Sequence, residues 1–293
     1  MTYDLDEFSD IMVIRFWQHK LNEMLKKKEF KIPVHLAFGH EASAVALDRS
    51  MQPDDLLCLT HRNVAYNLAR CKSLVELLKH FSLSYSSISG AFMGSMNLAI
   101  DGLGIAYTSS ILGNNLGVAA GFAMNRALTH KPGVIFVLSG DGAIEEGSFW
   151  EALIFSKSHN LPLVFVVENN DFSLSSSISQ RRCQINLGSI CAGIGVQYLL
   201  SNGASLNECK MAFMIARDLA ANDNPVCIEL NISTFCQHAG PTPGWPQDPL
   251  SIDIKNGLII ENNPEDPLYL VREILGDLAY NELSEKFINN DNA

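Results

Sequence analysis

Apolar positions along the chain repeat with two different periods, and the switch between them separates helices from strands. Leu5, Phe8, Ile11, Met12, Phe16, Met24 and Leu25 recur at roughly helical spacing over residues 5–28, which predicts a leading helix packed on a larger body. Further helices are predicted over residues 39–51 and 73–80, the second with Ser73 as its cap. Between them Leu56-Leu57-Cys58-Leu59 reads as a short buried strand. Over residues 82–110 the composition turns to glycine, serine and small side chains, and Gly90, Gly94, Gly102 and Gly104 leave no element to assign. A loop this long inside a compact chain is usually functional or disordered. Residues 113–128 then predict a small-residue helix in which Ala119, Ala120 and Ala123 permit close packing.

From Val134 the pattern sharpens. Val134-Ile135-Phe136-Val137-Leu138 and Leu163-Val164-Phe165-Val166-Val167 are continuous apolar strands separated by a helix over residues 147–159. A further unit follows, a helix over residues 206–221 and a strand over residues 226–230. Continuous apolar strands are buried on both faces, so they predict a mainly parallel sheet flanked by helices. Successive strand–helix units of this kind give a right-handed, doubly wound α/β fold that binds ligands at the carboxyl ends of its strands. The chain reads as one domain, with a leading helix through residue 30, a core over residues 31–240 and a C-terminal tail over residues 241–293.

Composition narrows the classes of function. With 47% hydrophobic and only 18% charged residues, the 293-residue chain has the apolar surface for a substantial core. Its apolar runs fall far short of the roughly 20 residues of a membrane span, and its first residues lack the basic and apolar regions of a secretory signal, so a cytoplasmic protein is expected. A net charge of −11 argues against non-specific nucleic-acid binding. Seven scattered cysteines with no CxxC pair support neither a disulfide framework nor a zinc knuckle, and buried thiols are expected instead.

Candidate chemistry lies where the two strong strands end. The first runs into Ser139-Gly140-Asp141-Gly142 and the second into Glu168-Asn169-Asn170, so both deliver an oxygen ligand to the same edge of the sheet. A carboxylate plus an amide oxygen suits Mg²⁺ when diphosphate oxygens and water complete the octahedron. Glycines at 140 and 142 allow close backbone approach to phosphates, and a helix N-terminus follows to supply amide donors. An aspartate between glycines is ordinary turn chemistry by itself. Its conjunction with an amphipathic helix, a second strand and an asparagine pair within residues 140–170 is far more specific. The rival nicotinamide-binding unit needs GxGxxG after the first strand, and no such motif stands there.

These residues carry a family resemblance. The run from Gly140 through Asp141, Gly142, Ala143, Glu146, Gly147, Trp150 and Glu151 to Asn169-Asn170 resembles the thiamine-diphosphate motif of the α subunits of 2-oxo acid dehydrogenases. Outside it, Gly39-His40-Glu41-Ala42 is similar to the family's GQEA segment, His61-Arg62 to its Tyr-Arg pair, and Gly94-Ser95-Met96 to its GGSMH loop. The chain departs from the pattern at Asn97, Phe172, Ser173, Cys236 and Gly240, where the family has His, Tyr, Gly, Arg and a phosphate-binding His. His238-Ala239-Gly240-Pro241 looks more like the HxGP loop of α-like proteins encoded with bacterial surface-polysaccharide genes.

The resemblance implies thiamine diphosphate and Mg²⁺ as cofactors. Asp141, Asn170 and the carbonyl of Phe172 would hold the metal, with Gly140, Gly142 and Ala143 beside the diphosphate. Arg62 would bind the diphosphate as a bidentate cation, next to His61. Leu112, helped by Ile111, would support the bent cofactor, and His35 and His238 would face the reacting atoms. The glutamate that ionises the cofactor comes from a β-type subunit in that family, so an α₂β₂ assembly is implied, with a lipoyl-bearing acyltransferase as a further partner. Oxidative acyl transfer from a 2-oxo acid is the activity implied. A transketolase-like carboligase in surface-sugar synthesis and a catalytically degenerate structural subunit are the alternatives.

Overall fold

Isoleucine, phenylalanine and valine in succession point to opposite faces of a strand, so a strand that carries them needs apolar cover on both sides. In the computed structural model, which describes residues 5–87, 90, 96, 98–100, 102–238 and 252–288, they receive it. Strand β3 (Ile135–Gly140) sends Phe136 and Leu138 into one core, while Ile135 and Val137 enter a second core on the opposite face. Its neighbour β4 (Leu163–Asn169) divides Val164 and Val166 from Leu163, Phe165 and Val167 in the same way.

These two strands centre a six-stranded, all-parallel sheet of order β2-β1-β3-β4-β8-β7. The others are β1 (Leu56–Leu59), β2 (Ile105–Thr108), β7 (Gln197–Asn202) and β8 (Val226–Asn231). A two-stranded antiparallel ribbon, β5 (Phe172–Ser173) with β6 (Ser176–Ser177), follows β4. Helices α1 (Leu5–Lys26), α2 (Glu41–Ser50), α3 (Val64–Cys71), α4 (Leu74–Phe81) and α9 (Leu206–Ala221) supply the first core. Helices α5 (Asn114–Thr129), α6 (Gly147–Ser158) and α8 (Leu187–Ile194) supply the second. A single turn, α7 (Ile178–Arg181), closes the ribbon. The doubly wound α/β class read from the strand pattern is thus the observed fold.

Strand β2 lies inside the glycine-rich stretch that offered no element, and β7 was likewise not expected. Neither carries a continuous apolar run: Tyr107 and Leu199 are only half-buried, and Leu200 is exposed. Both are edge strands whose pairing, not their own pattern, makes them strands. Ser73 caps α4 as expected, its side chain accepting from the Glu76 amide.

The C-terminal segment folds back over α1. Asp266 caps α10 (Pro267–Leu275), whose Pro267 occupies the first turn where no amide is needed, and α11 (Asp277–Ile288) follows. At the centre of this packing sits Arg15, 0% exposed. Its guanidinium binds Glu41 through Nε and Nη2 at 2.6 and 2.9 Å, Asp266 at 3.0 and 3.2 Å, and the Leu258 carbonyl at 2.9 Å. Arg15→Met leaves two buried carboxylates uncompensated, so urea unfolding should show a loss of about 3–5 kcal/mol; a loss below about 1 kcal/mol would contradict this account of the hub.

Candidate active site

Chain order and spatial order disagree at β1: the chain runs outward from it to β2, then returns to its other side as β3. The crevice beyond the carboxyl ends at such a reversal is where doubly wound sheets bind ligands. A cavity of about 460 Å³ lies there, lined by the segments that follow β1, β2, β3, β4 and β8. All twelve site residues named from the sequence line it: His61 and Arg62 after β1, Ile111 and Leu112 after β2, Gly140 to Ala143 at the end of β3, Asn170 and Phe172 after β4, with His35 and His238 closing the far wall.

Parallel pairing places Gly140 opposite Glu168, and the Asp141 amide donates to the Glu168 carbonyl at 3.2 Å. Asp141 and Asn170 therefore leave adjacent strand ends together. Asp141 is 2% exposed, and burial raises its pKa against the downward pull of Arg181. Arg181, at the end of α7, binds the Asp141 carboxylate at 2.5 Å and also pairs with Glu145. A cation thus already sits on the carboxylate expected to ligate a metal. Asn170 accepts the Phe172 amide at 3.1 Å on Oδ1 and donates from Nδ2 to Thr234 Oγ1 at 2.8 Å.

Gly142 has a more local reason than phosphate approach. A Cβ there would stand 2.6 Å from Ser173 Oγ, so glycine is what lets the β5–β6 ribbon close on β3, while a Cβ on Gly140 would meet nothing. The helix expected over residues 147–159 starts at Gly147 as α6, and a 3₁₀ turn over Ala143–Glu145 links it to the motif. Arg62 differs from a free bidentate fork. It donates to the carbonyls of Leu36 at 2.5 Å and His238 at 3.2 Å, so the cavity wall gains its charge while its geometry ties residues 36 and 238 together.

The three histidines meet. Ring centroids of His35, His61 and His238 are 4.8, 5.0 and 4.9 Å apart, and their nearest nitrogens all fall within 4.8 Å of one another. Burial, then the Arg62 charge, lowers their pKa values to about 3, 2 and 4, so all three are neutral imidazoles at pH 7. Four apolar side chains at the cavity are left in solvent: Ile111 is 68% exposed, Leu112 45%, Phe172 54% and Leu174 57%. Sequence reading missed His40, Thr234 and Arg181 as parts of the site. Only His40 carried a signal, standing where the GQEA segment has glutamine.

Fold and site together describe a doubly wound parallel sheet with a ligand crevice at its switch point. The chain belongs to the dehydrogenase E1 component family, whose model matches residues 9–239. It is 24% identical over 244 residues to the α subunit of mitochondrial pyruvate dehydrogenase E1 from Kluyveromyces lactis, covering 82% of this chain and 58% of that protein. It is 25% identical over 235 residues to the α subunit of acetoin:2,6-dichlorophenolindophenol oxidoreductase from Cupriavidus necator, covering 80% and 71%. The chain thus spans less than two-thirds of the length of the Kluyveromyces relative. Transketolase from Campylobacter jejuni has the same fold, with a TM-score of 0.60 at 19% identity over 78% of this chain and 38% of that one. Transketolase from Leishmania mexicana superposes with a TM-score of 0.57 at 16% identity over 96% and 47%.

Two outcomes follow from the site's charges. Because the fold disfavours ionised Asp141, Asp141→Asn should raise the melting temperature of the ligand-free chain by a few degrees, and an unchanged or lower value would contradict the burial argument. The histidines act in the opposite sense. Their folded pKa values lie below the usual 6.5, so their stability contribution is complete above pH 6.5 and declines as pH falls from there towards about 2. Replacing all three by asparagine should therefore flatten the fall in melting temperature between pH 7 and pH 5, read by scanning calorimetry.

Proposed function

We propose that this chain is the α-type half of a heteromeric enzyme that binds thiamine diphosphate through Mg²⁺ and breaks the bond beside the carbonyl of a 2-oxo acid. The observation that carries this reading is the emergence of Asp141 and Asn170 just beyond the paired ends of β3 and β4, with a guanidinium standing in for a cation on the carboxylate. The donor set fits a hard, oxygen-seeking ion: one carboxylate and one amide oxygen, with the carbonyl of Phe172, whose amide bonds Asn170, as the third oxygen that would complete it. When bound, the cofactor supplies the electron sink for the bond that breaks.

This chain's residues then bind, orient and exclude water. Asp141 would hold the metal in place of its present partner Arg181, which would keep its pair with Glu145. Gly142 and Ala143 would lie beside the diphosphate, Arg62 and His61 would supply charge and polar cover from the cavity wall, and Ile111 and Leu112 would give apolar support to the rings. His35 and His238 are neutral at pH 7, so each can offer its ring N–H as a hydrogen bond to a developing oxyanion.

The exposed rim of Ile111, Leu112, Phe172 and Leu174 supports a second, β-type chain that covers the cavity and brings the glutamate that ionises the cofactor. Glu41 is committed to Arg15, and Glu145 to Arg181 and Arg182. An α₂β₂ assembly and transfer of the acyl group to a lipoyl-bearing acyltransferase complete the proposal. No helix among the described residues is long and apolar enough to cross a membrane. Seven free thiols suit the reducing cytoplasm.

Titration calorimetry of thiamine diphosphate with Mg²⁺ tests the reading on the chain alone and co-purified with its β-type partner. Binding should appear or tighten with the partner and vanish in Asn170→Ala. No binding in either preparation would make the chain a structural subunit.

A further inference from the structure

Asn170 is useful to a metal only if its amide is turned so that oxygen faces the cavity. Asparagine carries a donor and an acceptor of almost the same shape, so something must decide between the two orientations. An unbroken chain of hydrogen bonds does so here. Asn170 Nδ2 donates to Thr234 Oγ1 at 2.8 Å, Thr234 Oγ1 lies 2.8 Å from His40 Nε2, and His40 Nδ1 lies 2.8 Å from Glu168 Oε1. The Tyr66 hydroxyl donates to the same Glu168 oxygen at 2.6 Å.

With Glu168 as a carboxylate and His40 as a neutral imidazole, one arrangement of protons satisfies every member. A carboxylate accepts, so the His40 proton is on Nδ1 and Nε2 must accept; the Thr234 hydroxyl therefore donates to Nε2 and its lone pair faces Asn170. That lone pair needs an N–H, which fixes the NH₂ of Asn170 on the Thr234 side. At the other end the Phe172 amide needs an acceptor and finds Oδ1 at 3.1 Å. A flipped amide would set oxygen against the Thr234 lone pair and N–H against N–H, losing both bonds.

We infer that His40 and Thr234 are positioning residues that fix the Asn170 amide in its metal-binding orientation. The inference rests on the proposed role of Asn170 as a ligand. The fold brings the two together deliberately closely. Gly39 has φ +100°, and a Cβ there would lie 2.0 Å from the Ser233 carbonyl oxygen, so only glycine lets residues 38–40 run against 233–235. The Phe235 amide closes this contact on the Phe38 carbonyl at 3.1 Å, and the Gly39 amide is held by Glu41 at 2.9 Å. His40 itself is 1% exposed, beneath the cavity floor rather than at its mouth.

Two measurements test this. In the ligand-free chain, long-range ¹H–¹⁵N spectra of the His40 ring should show the Nδ1–H tautomer; an Nε2–H tautomer overturns the inference whatever the cofactor does. Mn²⁺ affinity, read by electron paramagnetic resonance with thiamine diphosphate in the complex with the β-type partner, should fall about tenfold or more in Thr234→Val. Thr234→Ser and His40→Gln should hold it near the wild-type value, since each keeps the hydrogen bond that Asn170 or Thr234 needs. Equal Mn²⁺ affinity in Thr234→Val and wild type, with both folded, overturns the positioning role and leaves the proposed function intact. Failure of the wild-type complex to bind Mn²⁺ overturns the function and this role with it.

Discussion

The in-register parallel pairing of β3 with β4 is the constraint on which the site depends. Six successive pairs, from Ile135 opposite Leu163 to Gly140 opposite Glu168, fix where the two strands end relative to one another. A slip of one residue would turn every side chain to the other face and exchange the two cores. Burial on both faces makes that slip prohibitive, since all of the residues from 135 to 138 and from 163 to 167 are fully buried. Asp141 and Asn170 are neighbours because the apolar residues before them have no freedom to be elsewhere.

Around this frame the polar interior is organised by two tight approaches. Arg15 gathers Glu41 and Asp266 from segments far apart in sequence, joining α1, α2 and the C-terminal helices. Glu41 in turn holds the Gly39 amide, and Gly39 admits the irregular segment that follows β8. The network beneath Asn170 is thus continuous with the one that anchors the C-terminal segment, through two consecutive residues, His40 and Glu41. Buried charges of this kind define geometry more than they add stability.

The cavity itself is electrostatically uneven. One side holds a buried carboxylate whose ionisation the fold opposes, balanced by Arg181. The other holds three imidazoles kept neutral by burial and by Arg62. Both arrangements cost the ligand-free protein stability at some pH, as expected where a fold is shaped for a ligand rather than for itself. The apolar side chains left in solvent at the rim belong to the same pattern.

Sequence alone determined the parallel α/β class, because continuous apolar strands have few other homes, and the order of ligand-bearing residues after them. The pattern itself placed Gly140 to Gly142 and Asn170 at strand ends, while the other candidate residues that line the cavity were named from the resemblance to the family's motifs. Edge strands β2 and β7 escaped it, being half-exposed and made strands by their neighbours. The C-terminal helices lay in a segment read as a tail, because their signal is a cap and a short apolar face whose partner, α1, is more than 200 residues away. Arg181 on Asp141, the histidine cluster and the His40–Thr234 chain were decided only by tertiary structure. Each joins residues far apart in sequence, and a hydrogen bond of 2.8 Å between residues 40 and 234 leaves no local trace in either sequence.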